Sequence, residues 1–460
     1  MLFIKRSFYF ILFILCSLYC FSLSITDLAT FALESNFEIQ TASNTYKTQI
    51  FSSKNLNGSY TPSLSLTTAT TIPKDYDLQL APNYLDSNII YSQPLPGGTS
   101  LSIGVDYNFT ALTINNDRYI TQVPNISFSL KQSLLPFWIQ GQKKDPVKLS
   151  FKQNEEYYYY QLLCTKKNVL IQLLQNYVYV LISLNEIAVY KNLITFYEEE
   201  IESLKVFESI GNISKSSIIE VENSKWNTQQ NLIAAQVNYA TYIQTLKKLC
   251  GRDFDENLLE YSGLQNYEEY FIKIFDEIID PLEEVYNLNI QMIKTANVSE
   301  KQNLAPILNF SVKPEWILDS TTQGEWKSAW KDISTPSNWT FSLGIDFTPL
   351  FMASANQNDK KYQLKYKDAM ESYNSYLKQK EFVKYQYEKM LLEYMEQKEI
   401  ISELINLGIQ ELNDCKIQYE AELISKLDYD SVRVKVENYG YSKSSIELYI
   451  LLYNILIKVQ

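Results

Sequence analysis

TSLSIGVDYNF, residues Thr99–Phe109, is the stretch on which the fold turns. Leu101, Ile103, Val105, Tyr107 and Phe109 alternate with Ser100, Ser102, Gly104, Asp106 and Asn108, a period of two that predicts a β-strand with one apolar and one polar face. A strand crossing a bilayer needs about 9 to 11 residues of this pattern, because lipid lies on one side of the wall and the lumen on the other. Asn125–Lys131 repeats the theme with Ile126, Phe128 and Leu130 on one face and Ser127 and Ser129 on the other. Ser63–Thr70 alternates more weakly, and Asn88–Tyr91 followed by the turn Pro96-Gly97-Gly98 predicts a further strand. Downstream, Pro306–Lys313 and Trp339–Phe347 alternate in the same way. How many of the segments before Lys131 cross a membrane is left open by alternation alone.

Between these strand groups the period changes. From about Lys143, Leu170, Leu174, Tyr177, Leu181, Leu184, Ile187 and Ile194 recur mostly at spacings of three and four, which predicts one helix running to Ile210. Some 68 residues at about 1.5 Å each give a helix on the order of 100 Å, far beyond what a compact globule uses. After Gly211-Asn212 a second helix reads through Leu232, Ala235, Tyr239, Ile243, Leu246 and Leu249 to Gly251, a natural helix-ending residue. Helix, tight turn and returning helix predict an antiparallel coiled-coil hairpin. A second pair is expected at Ala353–Glu420 and Ser425–Ile457, carrying Phe382, Tyr385, Leu392, Met395, Ile401, Leu404, Ile446, Ile450 and Leu451. Arg252–Asp280, acidic and aromatic, is read as a linker with short elements.

Composition narrows the function classes. Lys5 and Arg6 precede the apolar run Phe8–Leu18, and Ser22 and Ser24 stand at small-residue spacing before Ile25, the pattern of an export signal cleaved after Ser24. Cys20 as a lipid-attachment site is the weaker reading, because bulky Tyr19 precedes it. No later segment reads as a spanning helix, so any membrane passage must be a closed β-barrel, the one other structure that satisfies all backbone polar groups in lipid. The net charge is −12, moving to −14 without the leader, which argues against nucleic acid as a partner. There is no histidine in 460 residues, so His-based triads and His-ligated metals are excluded. Beyond the leader, Cys164, Cys250 and Cys415 are odd in number and widely spaced, supporting neither a disulfide framework nor a zinc motif. No catalytic residue, cofactor site or metal site is expected. Asn57-Gly58 reads as a turn, not a phosphate loop, since no lysine and helix follow a Gly-rich run.

The plan is duplicated. Phe128-Ser129-Leu130 before Leu134-Leu135-Pro136-Phe137 corresponds to Phe341-Ser342-Leu343 before Thr348-Pro349-Leu350-Phe351, an offset of 213. At the other end Gly211-Asn212-Ile213-Ser214 matches Glu422-Leu423-Ile424-Ser425, an offset of 211. The expected organisation is a signal peptide at 1–24, a first repeat at 25–251, a linker at 252–281 and a second repeat at 282–460.

At these residues the sequence resembles the TolC-type outer-membrane efflux protein family over nearly all of the exported chain. The carrying segments are Ala32-Leu33-Glu34-Ser35-Asn36, similar to the family's opening Ala-Leu-x-x-Asn; the strand-to-helix turns Gln132–Pro136 and Pro349-Leu350-Phe351; and the hairpin from Gly211 to Gly251. The resemblance implies a mainly α fold with a β-barrel portion: a homotrimer whose subunits each give four strands to one barrel and four helical strands to one α-helical barrel. It implies an outer-membrane location with a large periplasmic portion, a passive exit duct for efflux or type I secretion, and partners in a periplasmic adaptor and an inner-membrane transporter. Two departures stand out. Phe37 follows Asn36 where the family usually has proline, and Glu422 replaces the usual glycine, which predicts either a turn without positive φ or a shifted register. Asp75–Pro96 is longer than the family minimum and is expected to be an outward loop or an additional hairpin.

The resemblance places the adaptor-contacting tip at Ile210, Gly211, Asn212, Ile213 and Ser214, with Leu423, Ile424 and Ser425 as the repeat partner; the same residues also serve simply as turns. It places the pore aperture at Asp428, with Asp430 as its neighbour, where a threefold axis would make a carboxylate ring that selects cations. The alternative for both aspartates is an ordinary solvated carboxylate. Tyr157–Tyr160 are read as packing, and Trp316, Trp326, Trp330 and Trp339 as an interfacial belt. The competing reading of the chain is a periplasmic coiled-coil adaptor or structural protein without a pore, which ordinarily has one hairpin and no pair of strand groups.

Overall fold

The computed structural model describes residues 23–54, 60–71, 83–114, 117–256, 259, 280–320, 335–346 and 351–459. The expected leader, except its last two residues, the Asn57-Gly58 turn, Trp326, Trp330, the Thr348–Leu350 turn and most of the Arg252–Asp280 linker lie outside them. The elements follow in the order α1 (Ile25–Ser35), α2 (Phe37–Lys54), β1 (Ser63–Thr71), β2 (Asn83–Leu95), β3 (Thr99–Ile114), β4 (Asp117–Ser133), α3 (Pro146–Ser209) and α4 (Lys215–Cys250). Then come α5 (Pro281–Leu304), β5 (Ile307–Glu315), β6 (Leu318–Ser320), β7 (Asn338–Asp346), α6 (Phe351–Glu420) and α7 (Lys426–Val459). Among the described residues the chain is mainly helical with one antiparallel sheet, and it divides into two compact units.

One unit comprises residues 46–159 and 284–373 and holds the sheet. Its strands run in the order β1-β2-β3-β4-β5-β7, with the short β6 paired on β4, and every pairing is antiparallel. Among the described residues the sheet therefore has six principal strands, not the four that the resemblance implies. The additional pair arises because Asn83–Leu95, within the segment expected to loop outward or form an extra hairpin, is a full strand joined to β3 by the Pro96-Gly97-Gly98 turn. Gly97 and Gly98 both take positive φ (85° and 75°), as that two-glycine turn requires. Beside the sheet, α2 packs on the start of α3 through Tyr46 and Tyr159, whose ring centroids lie 5.6 Å apart, and a bond from Ser53 Oγ to Glu155 Oε2 of 3.1 Å. In the same unit α5 packs on the start of α6 through Lys301–Asp359 (2.6 Å) and Tyr362 Oη donating to Glu300 Oε2 (2.6 Å).

The other unit, residues 1–45, 160–283 and 374–460, contains two helix hairpins. In the first, α3 and α4 are joined by Lys225–Glu198 (2.8 Å) and the Tyr179–Tyr242 ring pair at 5.3 Å. In the second, α6 and α7 are joined by Lys435–Glu411 (3.2 Å), Lys398–Glu447 (3.1 Å) and the stacked rings of Tyr394 and Tyr449 at 4.6 Å. The hairpins meet where Asn185 Nδ2 donates to Ser445 Oγ (3.1 Å) and Asn192 Nδ2 to Glu437 Oε2 (3.3 Å). Val169, Leu170, Leu173, Leu174, Tyr177 and Val178 of α3 and Leu452, Ile455 and Leu456 of α7 form the core. By contrast Phe382, Tyr385, Leu392, Leu404 and Leu407 of α6, and Trp226, Ile233 and Val237 of α4, are exposed at helical spacing. At 64 and 70 residues, α3 and α6 are each about 100 Å long.

The opening motif has a physical role here. Asn36 ends α1 with an extended backbone (φ −63°, ψ 130°) and starts α2, its Oδ1 accepting from Glu38 N (2.9 Å) and Ile39 N (3.1 Å). Its Nδ2 donates to Leu249 O (2.9 Å), clamping the break to the end of α4. There Gly251 takes φ +66°, and a Cβ on it would stand 2.1 Å from Ser35 O.

Candidate functional site: hairpin tips and sheet faces

The two hairpin tips are built alike. In the first, Gly211 has φ +81°, its N–H donates to Glu208 O (2.9 Å), and Asn212 N donates to Phe207 O (3.0 Å). In the second, Glu422 has φ +55°, its N–H donates to Tyr419 O (2.9 Å), and Leu423 N donates to Gln418 O (2.8 Å). Both are Schellman endings, which satisfy the last carbonyls of a helix through a left-handed residue. The second tip thus needs a positive φ and stands in register, contrary to the expectation drawn from the missing glycine. A glutamate occupies the left-handed position because the two hydrogen bonds and the returning helix over-determine it. Ile210 and Leu423 project into solvent (62% and 75% exposed), Gly211, Asn212, Ser214 and Ser425 are exposed, and Ile213 and Ile424 are half-buried.

Asp428 sits in the first turn of α7 as one half of a capping box. Its Oδ2 accepts from Ser425 N (3.1 Å) and Ser425 Oγ (2.6 Å), while Asp428 N donates to Ser425 Oγ (3.1 Å). Asp430 is placed differently from the open carboxylate that an aperture neighbour suggests. It is 4% exposed, with Arg433 Nη2 at 3.1 Å from Oδ1 and Lys426 Nζ at 3.8 Å from Oδ2.

One polar cluster in this unit was not anticipated. Asp280 stands immediately before α5, where its Oδ1 accepts from Glu283 N (3.3 Å), and its Oδ2 accepts from the Lys380 ammonium and from Tyr376 Oη (2.5 Å). Burial works to raise the Asp280 carboxyl, but Lys380 and Tyr376 outweigh it and hold the group below the usual carboxylate range. A cavity of about 280 Å³ beside it is lined in part by Lys167, Cys164 and Val459. Burial pushes the Lys167 ammonium down and the Cys164 thiol up to about 11. No local sequence signal marks this cluster, since its members lie on three separate elements. Among the described residues no group of three or more Cys, Asp or Glu is arranged to hold a metal.

In the sheet-bearing unit the chemistry lies in the two faces. One transverse row reads Leu64, Tyr91, Ile103, Phe128, Val312, Phe341 across all six strands, and the next carries Leu101, Leu130, Phe310 and Leu343. The opposite face carries Ser, Asn, Asp, Glu and Gly, including Asn88, Asp106, Asn125, Glu315 and Asn338 in one row. The burial is inverted: Tyr91, Phe128 and Leu130 are exposed while Ser92, Ser102 and Ser129 are half-buried and Asn125 is buried. The two triplets of the repeat, Phe128-Ser129-Leu130 and Phe341-Ser342-Leu343, occupy the same rows two strands apart. Trp339, exposed, stacks with Phe341 at 6.1 Å on the apolar face, and Trp316 is half-buried beyond β5.

A mainly helical chain with an inside-out antiparallel sheet and two long helix hairpins has the architecture of an outer-membrane channel subunit. Solved structures share this fold. The outer membrane protein VceC of Vibrio cholerae is similar over 94% of this chain and 95% of its own at 10% identity, with a TM-score of 0.60. The CmeC outer membrane channel of Campylobacter jejuni is similar over 93% and 85% at 11% identity (TM-score 0.58), and the open-state MtrE outer membrane channel of Neisseria gonorrhoeae over 95% and 87% at 11% (TM-score 0.56). The fold is thus that of outer-membrane channels, in keeping with the TolC-type resemblance read from the sequence. No family model matches the sequence, and no curated protein matches it either.

Proposed function

We propose that the chain is one subunit of a homotrimeric exit duct that spans the outer membrane and reaches into the periplasm, a passive channel without enzymatic chemistry. The observation that carries this reading is the inverted sheet. An apolar face presented outward and a polar face turned away from solvent is the arrangement a barrel wall in lipid demands, and it is the reverse of a soluble sheet's. The exposed apolar stripes of α4 and α6 support side-by-side association of subunits, since surfaces of this kind mark protein contacts. On this reading residues 1–24 direct export, and 25–251 and 282–460 are two repeats joined by 252–281.

The tips, Ile210 to Ser214 and Leu423 to Ser425, are assigned to the periplasmic adaptor. Their exposed apolar side chains on tight, hydrogen-bonded turns suit close packing of another helical hairpin, through which an inner-membrane transporter would supply the energy. The aperture is assigned to Asp428, with Asp430 held back by Arg433 and Lys426. Asp428→Asn separates the two roles of this side chain, because it keeps an acceptor for Ser425 N and removes the charge. The expected result is an intact helix start with weakened cation block in single-channel recordings; unchanged block removes Asp428 from the aperture.

The overall reading is tested by expressing the full chain and fractionating membranes. A trimer in the outer membrane is expected. Recovery as a soluble periplasmic monomer would favour the coiled-coil adaptor and overturn the duct.

A further inference from the structure

Among the described residues the sheet ends in two open edges, β1 and β7, each nine residues long. With six principal strands alternating in direction, β1 and β7 run antiparallel to each other, so β1 of one copy can continue the ladder on β7 of another without reversing its sense. Both edges look incomplete. Every described residue of β7 is exposed on both faces, and Leu64 and Leu343 are 71% and 73% exposed, against 36% for Ile103 inside the sheet. Neither edge carries the inward charges or bulges that blunt a strand meant to stay unpaired, apart from Asp346 at the last position of β7.

The polar face adds a second, independent observation. Ser63, Ser92, Ser102, Ser129, Ser311 and Ser342 are successive Cα partners, one serine per principal strand from edge to edge. Within it Ser92 Oγ and Ser102 Oγ are 2.7 Å apart, as are Ser311 Oγ and Ser342 Oγ. A detached β1–β2 hairpin would have no reason to continue this row or the apolar row beneath it, so both strands belong to the wall.

We infer that β1 of one copy pairs with β7 of the next, so that each copy contributes six strands to the barrel and the trimer proposed above, on which this rests, closes an eighteen-stranded one. Barrel diameter grows roughly linearly with strand number, so the passage is about half again as wide as one with four strands per copy. Its lumen carries a repeated ribbon of neutral hydroxyls, suited to bulky hydrophilic cargo rather than to one selected ion.

Cysteine pairs test the edge. Thr67→Cys with Ser342→Cys, and Ser65→Cys with Gly344→Cys, place one thiol on each edge, with room for a side chain at Gly344. Four strands at about 4.8 Å spacing separate the members of each pair within one copy, so a disulfide between them must join two copies. Oxidation in isolated outer membranes is expected to give a dimer and trimer ladder on non-reducing gels, from these pairs or from the same pairs moved by two residues. If Ser102→Cys with Ser342→Cys gives the ladder instead, or if the trimer persists with no β1–β7 ladder, the six-strand wall is overturned while the duct stands. Absence of a membrane trimer overturns both.

Discussion

Glu422 holds a left-handed backbone at φ +55° where its counterpart in the first hairpin is Gly211 at φ +81°. A side chain in that region costs about 1–2 kcal/mol, so Glu422→Gly is expected to stabilise the folded chain by about 1 kcal/mol, and Gly211→Glu to destabilise it by a similar amount. Thermal unfolding followed by helical circular dichroism checks both. Phe37 offers the complementary case. It is the first residue of α2, is 79% exposed and follows an extended Asn36, so proline fits its position without loss of a helical hydrogen bond. Phe37→Pro is expected to raise stability by roughly 0.5 kcal/mol, whereas Gly251→Ala, meeting Ser35 O and a positive φ, is expected to lower it by more than about 2 kcal/mol. Both departures from the pattern that the sequence resembles are therefore local substitutions, and neither moves a helix end. The glutamate could not be interpreted from sequence because a left-handed φ is imposed by the Schellman bonds, which only the folded hairpin displays.

At the scale of elements, Asp280 joins the start of α5 to α6 through Lys380 and Tyr376. Its carboxyl is held below its ordinary value, so its contribution to stability is present at neutral pH and is lost as the pH falls through the depressed folded value. Asp280→Asn is expected to lower stability by roughly 1–2 kcal/mol at pH 7. The difference from the unaltered protein should shrink below about pH 4, the ordinary range for a carboxylate, which a series of melting curves would reveal. Helix boundaries were far more legible than this cluster. The expected Lys143–Ile210, Ala353–Glu420 and Ser425–Ile457 correspond to Pro146–Ser209, Phe351–Glu420 and Lys426–Val459, because a long 3–4 spacing closed by a turn residue such as Gly211 is a local signal. Strand ends were less so: β4 extends from Asp117, eight residues before the clear alternation at Asn125, since pairing with β3 carries the ladder through Pro124 and Gln122.

For the whole molecule, the two faces of the sheet make opposite demands. In the proposed barrel wall Phe341→Arg sets a charge on the lipid face, where it costs about 2–4 kcal/mol at the depth of the bilayer centre. Loss of trimer from the outer membrane is expected. Ser342→Arg, one residue along on the polar face, should leave assembly intact and shift ion selectivity toward anions in planar-bilayer recordings. Equal loss of assembly in both variants would mean that the faces are not lipid and lumen.

Periodicity, caps and the 211- to 213-residue offset are properties of neighbouring residues along the chain, and from them the sequence alone determined two strand groups, two long hairpins and their order. The number of strands in one sheet and the Asp280 clamp were decided by tertiary structure. Both depend on which distant segments become neighbours: β2 announces itself in the sequence only at Asn88–Tyr91, and it becomes a 13-residue strand because β1 and β3 satisfy its backbone on both sides.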